Sequence, residues 1–423
     1  MFWPAHELLS PDGLPALSRD TLLRVAPLDL DSLDSVRDAA GYFAAARARG
    51  GDVQWSDAQH GWVTLSHAET AAAFRDVERL SADRSEVFRR AAAARSPAFG
   101  EVAQLLAGWM NFRDDPAHAR LREPVRAAFT PRRVGELEKD VREIVARAID
   151  DFAGDTVELF EAFARPVPAR VIAALLGAEQ SDSARFQRWS DDLARIVFSL
   201  SPRTVDEAPL VAATREFAAF FGKLVERERA RPSGNLLSAL VHSEVGALDA
   251  LELVGACTLL LFGGHETTTS LIDQSLALFL ERPELADEMR AHPERWETAV
   301  DELMRVAGPA RAMARKVAVP HERGGQALEP GDTVFLAIAA ANHDPAVFAT
   351  PERVDFARAP NPHLGFGWGP HFCLGAHLAR LEARIALQTL LERFPRMRPA
   401  EPVPPQVGAT MGFTHRRLRV HLS

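Results

Sequence analysis

Two cysteines occur in the 423 residues, and one of them, Cys373, lies in the run FGWGPHFCLGAHLAR at 366–380. Such a cysteine can serve as a nucleophile, a metal ligand or a small core residue, and the thiolate is the form that attacks or ligates. Ala376 to Phe394 has a helical pattern, with Leu378, Leu381, Ile385 and Leu390 or Leu391 on one side. That places Cys373 just ahead of a helix N-terminus, where free backbone N–H groups and the macrodipole favour a negative sulfur. Gly367, Gly369 and Gly375 allow positive φ and leave no side chain between the loop and a flat ligand. The cysteine alone suits a buried turn residue as well as it suits a ligand. The full spacing, Phe366-x-x-Gly369-x-His371-x-Cys373-x-Gly375, favours the ligand. Nucleophilic catalysis with His371 as base is poorly served. Two residues apart around a glycine turn, the pair leaves no ready place for an orienting third member.

Other groupings could also carry chemistry. GGHETT at 263–268 puts Gly263 and Gly264 inside a mostly apolar run that has no proline between Asp249 and Pro283. A Gly–Gly pair costs a helix about 1–2 kcal/mol relative to alanine. Close approach of a flat group to the backbone would offset that cost, and a bend is a second use for it. Thr267 can turn its hydroxyl onto the helix backbone, and Glu266 is an acid in apolar surroundings. Glu302 and Arg305 are three apart and share a helix face, so they can pair. His118 and Arg122 fall one turn apart after Pro116, which suits a helix start. Two donors on one face fit a pair of carboxylates, or simply a solvated amphipathic helix. Cys257 sits in the apolar run and reads as a core residue.

The elements that must position these groups are mostly helical. The segment 249–282 predicts a helix of about 30 residues, roughly 45 Å long. Apolar residues cover nearly its whole circumference, so it runs through the core. Val134, Leu137, Val141, Ile144, Val145, Ala148 and Phe152 recur at helical spacing. Strand-like pieces are few and short, near 52–66, at 333–338 and at the C-terminus. The expected fold is mostly α with small peripheral β-sheets. Helix dominates about 100–310 and 375–395, and β regions lie at about 52–66, 315–340 and 405–423. No repeat, low-complexity segment or Gly/Ser linker divides 1–423, which reads as one domain. A net charge of −9 argues against nucleic acid as partner. No apolar run reaches the ~20 residues that span a bilayer. The N-terminal MFWPAHELLS lacks the features of a signal peptide, so the expected location is cytoplasmic and a disulfide is not expected.

At the cysteine loop the sequence resembles the cytochrome P450 superfamily of soluble bacterial type. The resemblance implies that Cys373 is the axial thiolate ligand of the iron of heme b, donating electron density that favours O–O cleavage. It implies further that Phe366 packs near the sulfur, that Gly369 and Gly375 shape the loop against the heme, and that His371 contacts a propionate. GGHETT resembles the family's segment of small residue, glycine, any residue, acid and threonine, with glycine in place of the usual alanine. Gly263 and Gly264 would line the heme, and Glu266 and Thr267 would be the catalytic pair that guides protons to bound dioxygen. Glu302 and Arg305, joined by Arg353 of PERVDF, match a structural trio behind the heme. His118, Arg122 and Arg315 match propionate-binding positions. ANHDP at 341–345 carries His343 where the family usually has arginine. The resemblance runs in order from about 110 to 395 and more weakly to both ends.

If heme lies between Cys373 and Gly263–Thr267, the substrate pocket is expected to be walled by Leu259, Phe262, Gly263, Ala310, Ala312, Thr410 and Met411. Segments 85–108 and 170–205 would supply its roof. These positions imply a small, mostly apolar substrate. Arg311 is the polar exception, read first as solvent-facing and second as a carboxylate partner. The implied reaction is monooxygenation with O2. Its electrons come from outside, because no flavin or iron–sulfur motif is visible. A ferredoxin-type iron–sulfur donor with its reductase is the expected partner, and the chain is expected to be a monomer. Segment 113–133 has six arginines against three acids and 371–398 five against two, so a basic docking patch is expected despite the net charge. The alternatives are a peroxide-driven heme oxygenase, which the Glu266–Thr267 pair disfavours, and a non-catalytic heme-binding protein, which needs no such pair.

Overall fold

The computed structural model describes residues 27–197, 206–406, 414–415 and 417–423. The helices that frame the site are α1 (His67–Arg75), α2 (Ala117–Ala128), α3 (Glu138–Asp150), α4 (Pro166–Leu175), α5 (Ser183–Val197), α6 (Glu207–Ala230), α7 (Ala250–Glu281), α8 (Trp296–Ala307) and α9 (Ala376–Arg393). The 32-residue α7 is the long helix expected from its apolar run, and it is buried along most of its length. Helices α4, α5, α6, α8 and α9 pack around it. Its start is fixed by a reciprocal capping box, in which Asp249 accepts from the Glu252 N–H while Glu252 accepts from the Asp249 N–H. Glu252 also accepts from Arg120 of α2 at 3.1 Å, which ties the start of the long helix to a neighbour.

The periodic run at 134–152 is two helices, Pro131–Glu136 and then α3, with a break at Leu137. Thr130 caps the first by accepting from the Arg133 N–H. Apolar spacing persists across the break, which is why the sequence reads as continuous.

Strands are short; those at 53–64, 313–336 and 419–421 fall in the expected regions, whereas the ones at 80–81, 156–158 and 398–399 were not expected. Strands β1 (Val53–Ser56), β2 (Gly61–Thr64), β3 (Leu80–Ser81), β5 (Met313–Val317) and β8 (Thr333–Leu336) form one sheet in the order β1-β2-β8-β5-β3. β2 and β8 pair in parallel with Val63 opposite Phe335, and β5 runs antiparallel to β8 with Arg315 opposite Val334. Strands β4 (Thr156–Glu158), β10 (Arg419–His421) and β9 (Arg398–Pro399) make a second small sheet in that order, and β6 (His321–Arg323) and β7 (Gln326–Leu328) a hairpin. The main apolar core lies among the helices around α7. A separate core containing Leu30, Tyr42, Phe43, Val63, Phe335 and Ala312 lies under the large sheet.

Candidate functional site

The cysteine loop closes on itself. The Cys373 N–H donates to the Phe366 carbonyl at 2.9 Å. Gly367 and Gly369 hold φ of +71° and +75°, a region that penalises any side chain. At Gly369 space forbids one as well, since a Cβ would fall 2.9 Å from the Phe74 carbonyl oxygen. Gly375 differs from expectation: its φ is −82°, and what it offers is a backbone N–H to the Cys373 sulfur. Phe366 is buried, with the Arg380 guanidinium 4.3 Å from its ring centre.

Cys373 is accessible as a residue, yet its sulfur is crowded by protein. Burial pushes the thiol pKa up, and the Gly375 N–H, Arg122 and Arg380 only partly oppose it. The helix start therefore does not by itself make a thiolate, contrary to the sequence expectation. Desolvation outweighs the macrodipole here, and a metal cation at the sulfur is what would hold it deprotonated.

A cationic cluster lies beside the loop. His118 and Arg122 come from α2, Arg315 from β5 and His371 from the turn before Cys373. The His118 and His371 rings stand 4.0 Å apart between centres. Arg122 donates to the Phe372 carbonyl at 2.5 Å. His118 uses Nδ1 toward Asp115 at 3.2 Å and leaves a buried Nε2 without a partner. Burial, followed by Arg315, His118 and Arg122, drives the His371 pKa down to about 3. Burial, followed by Arg84, brings Arg315 down to about 10. Two arginines gathered under cover, with imidazole donors beside them, call for anions. Arg84, a fifth member, was not legible in sequence because it stands outside any spaced pattern. Its guanidinium lies 5.2 Å from the Phe112 ring centre, and burial lowers its pKa too.

One stripe of α7 is uncovered. Leu259, Leu260, Gly263, Gly264, Glu266 and Thr267 are at least partly exposed, while Leu261, Phe262, His265 and Thr268 between them are buried. At 100° per residue the exposed six occupy one face. The two glycines do different work. A Cβ on Gly264 would sit 2.3 Å from Ile172 Cδ1, so this glycine lets α4 approach, whereas a Cβ on Gly263 would meet nothing within 4 Å. Gly263 thus floors an open space. Thr267 Oγ1 donates to the Gly263 carbonyl at 2.5 Å, i to i−4. Burial works to raise the Glu266 pKa, but His265, Ser190 and Arg165 outweigh it and hold it below the usual carboxylate value.

Some expected positions lie elsewhere. Ala312 is 1% exposed in the core under the large sheet, so it walls no open pocket. Phe262 packs on Trp109, with ring centres 5.4 Å apart, and is not part of the open stripe. Leu259, on the open stripe, also lines a small apolar cavity with Met110, Leu121 and Val125. Ala310 borders a small polar cavity with Arg311, Asn342 and His343. Arg311 is not solvent-facing: it donates to the Ser35 carbonyl at 2.6 Å, and burial brings its pKa down to about 10 against the pull of Asp31. Thr410 and Met411 lie outside the described residues.

The Glu302–Arg305 pair is present, bidentate at 2.7 and 2.8 Å and fully buried. Its third basic member is Arg358, not Arg353. Arg358 Nε donates to Glu302 Oε2 at 3.1 Å, whereas Arg353 is exposed and contributes its backbone carbonyl to Arg305. Both arginines follow the same proline, and only the loop's fold decides which one turns inward.

A cysteine loop, a cluster of basic side chains and a helix with an open glycine face lie together in the positions described. The chain belongs to the cytochrome P450 family, whose model matches residues 112–420. It is 33% identical over 344 residues to the biotin biosynthesis cytochrome P450 of Bacillus subtilis, covering 81% of this chain and 85% of that one. It is 35% identical to the 6-deoxyerythronolide B hydroxylase of Saccharopolyspora erythraea over 80% of this chain and 84% of the relative. P450BioI, solved with an acyl carrier protein bearing hexadec-9Z-enoic acid, superposes with a TM-score of 0.82 at 28% identity, over 92% of this chain and all of that one. The protein is a cytochrome P450 monooxygenase with a heme-thiolate cofactor, acting with O2 and an external electron source on an organic substrate. Among the described residues no helix is long and apolar enough to cross a membrane. The cluster of His118, Arg122, Arg315 and His371, with its orphaned Nε2, fits the two carboxylates of a heme.

Proposed function

We propose that this chain inserts one oxygen atom of O2 into a small, mostly apolar substrate, with heme b held at Cys373. The observation that carries this reading is the group of basic side chains His118, Arg122, Arg315 and His371 beside the Cys373 loop, with the buried Nε2 of His118 left unpartnered. When bound, the heme supplies the O2-activating redox chemistry. The residues of the chain do the rest. Cys373 provides the sulfur ligand, and His118, Arg122, Arg315 and His371 accept the propionates, with Arg84 adding to the field. The open stripe from Leu259 to Thr267 walls the substrate side and keeps it mostly apolar. Glu266 and Thr267 pass protons inward: the Thr267 hydroxyl hydrogen rests on the Gly263 carbonyl, which leaves its oxygen free to accept from an acid.

Electrons are supplied by a ferredoxin-type iron–sulfur protein with its reductase, docking on the face where the Cys373 loop exposes Trp368 and Phe372. The arginines nearby are less free than their count implies, since Arg126 pairs with Glu123 and Arg132 with Glu136. Apolar contact at Trp368 and Phe372 therefore carries part of the docking. The chain works as a monomer in the cytoplasm. Its likeness to a 6-deoxyerythronolide B hydroxylase and to a P450 solved with an acyl carrier protein bearing hexadec-9Z-enoic acid keeps substrates of those two kinds in view.

Absorption of the reduced, CO-bound protein tests the assignment. A band at the thiolate-heme position is expected, and a band typical of histidine-ligated heme overturns Cys373 as ligand. A compound library screened for the low-spin to high-spin shift then identifies the substrate class.

A further inference from the structure

His265 and Glu266 are consecutive on α7 but leave it on different sides. His265 is 1% exposed, and Glu266 lies on the open stripe. His265 Nε2 is 3.1 Å from the carbonyl oxygen of Arg165. A carbonyl oxygen only accepts, so Nε2 carries a hydrogen, and in a neutral ring Nδ1 is then a bare lone pair. That Nδ1 is buried, makes no hydrogen bond of ordinary length, and lies 3.5 Å from Glu266 Oε1. An ionised carboxylate also offers only lone pairs. Two acceptors facing each other away from water repel, and a single proton between them reverses the sign. The shift of Glu266 below the usual carboxylate value, with His265 foremost among the groups opposing burial, agrees with this.

We infer that His265 and Glu266 share one proton between Nδ1 and Oε1, and that His265 is the group from which Glu266 is recharged. The inference rests on Glu266 being the acid of the proposed function. The shared proton is the one delivered: the Nδ1–H bond breaks as the Oε1–H bond forms, and that Oε1–H bond then breaks as the proton passes toward the Thr267 hydroxyl, leaving Glu266 ionised. His265 becomes neutral and keeps its Nε2–H on the Arg165 carbonyl. A proton from solvent then restores Nδ1.

Arg165 and Asp191 are the charged groups acting on the pair, and Glu161 stands behind Arg165. Arg165 joins the other two, bonding Glu161 at 3.1 Å and pairing with Asp191 of α5. Asp191 has one side in water, at 46% side-chain exposure. Burial raises its pKa against the pull of Arg165, and the charge of Glu266 raises it further. It is therefore the titratable group placed between solvent and the pair. The sequence showed His265 only as the variable position of the motif, because the carbonyl that fixes its tautomer lies 100 residues away.

The test is nitrogen-15 NMR of histidine-labelled holoenzyme in its diamagnetic reduced, CO-bound form. His265 is assigned among the 14 histidines by its loss in His265→Gln. At pH 7 the Nδ1 resonance should be that of a protonated or strongly hydrogen-bonded nitrogen, and Glu266→Ala should move it to the bare-lone-pair position. A bare-lone-pair Nδ1 in the wild type, unmoved by Glu266→Ala, overturns the inference. If Glu266→Ala does not take up heme, the wild-type resonance at pH 7 decides alone: a bare-lone-pair position overturns the sharing, and a protonated or strongly hydrogen-bonded one supports it. Peroxide release per electron in Thr267→Ala addresses the proton-delivery reading separately. Unchanged release removes that reading while leaving the shared proton standing.

Discussion

Arg358 places its Nε 3.1 and 3.3 Å from the two carboxylate oxygens of Glu302, which is already held by Arg305 from the other side. Arg305 in turn donates to the carbonyls of Asn342, Pro351 and Arg353. One carboxylate thus fastens α8 to the chain segment 342–358.

Breaking this arrangement should cost stability unevenly. Arg305→Ala leaves Glu302 buried without its principal partner and should cost about 3–5 kcal/mol. Arg358→Ala removes one charged donor from a carboxylate that keeps another, and should cost about 1–3 kcal/mol. Arg353→Ala should change little, because only its backbone is used. Burial works to raise the Glu302 pKa, but Arg305, the Asp355 N–H and Arg358 hold it below the usual value. Its contribution is therefore full above the ordinary carboxylate range and is lost as pH falls below it. Urea midpoints of the three variants across pH 3–7 check the order.

The two glycines of α7 should respond oppositely to the same methyl group. Gly264→Ala drives a Cβ into Ile172, an overpacking worth about 1–3 kcal/mol. Ile172→Val should restore part of it. Gly263→Ala meets no protein atom and should stabilise the helix by up to about 1 kcal/mol, while narrowing the space above it. Thermal unfolding, read beside ligand-induced spin shifts, separates the two effects.

Thiol chemistry should report on the cofactor. Cys257 is fully buried, and burial pushes its pKa to about 12. Cys373 is accessible, with its pKa raised by burial. In heme-free protein, maleimide should label Cys373 alone, and slowly until the pH exceeds the ordinary cysteine range. Heme should protect it fully. Peptide mapping by mass spectrometry distinguishes the sites, and labelling of Cys373 in loaded protein would count against its role as ligand.

His371 should give the heme-free protein a particular pH dependence. Its folded pKa, about 3, lies below the ordinary 6.5, so the unfolded chain takes the proton first. Its contribution is full above about 6.5 and declines as pH falls toward 3. His371→Gln should flatten that slope in denaturant titrations. Loading with heme should flatten it too, because the propionates favour the protonated ring.

Residues with fixed spacing were readable from the chain, since the close partners of Cys373 and Glu302 are local and their geometry follows from one turn of helix or loop. The long helix was readable for a similar reason, as its apolar run has no breaker between Asp249 and Pro283. What stayed hidden depends on distant segments. Ala312 faces a second core because β5 pairs with β8. Arg311 is claimed by Ser35, 276 residues earlier. Arg358 rather than Arg353 turns inward because of how one loop folds. The sign of the Cys373 pKa shift depends on burial, which local sequence does not reveal.

The cationic cluster has a consequence for assembly. Its members come from positions 84, 118, 122, 315 and 371, so the anion site exists only once nearly the whole chain has folded. Once folded, the protein holds these basic groups close together, Arg84 opposing the charge of Arg315 and Arg315 that of His371. Cofactor capture therefore needs the assembled site, and an anion bound there offsets the mutual opposition of its basic groups, which favours retention. Substitutions that relax the empty form should loosen the filled one, so production of heme-free protein and tenacity of the cofactor are opposing traits of this sequence.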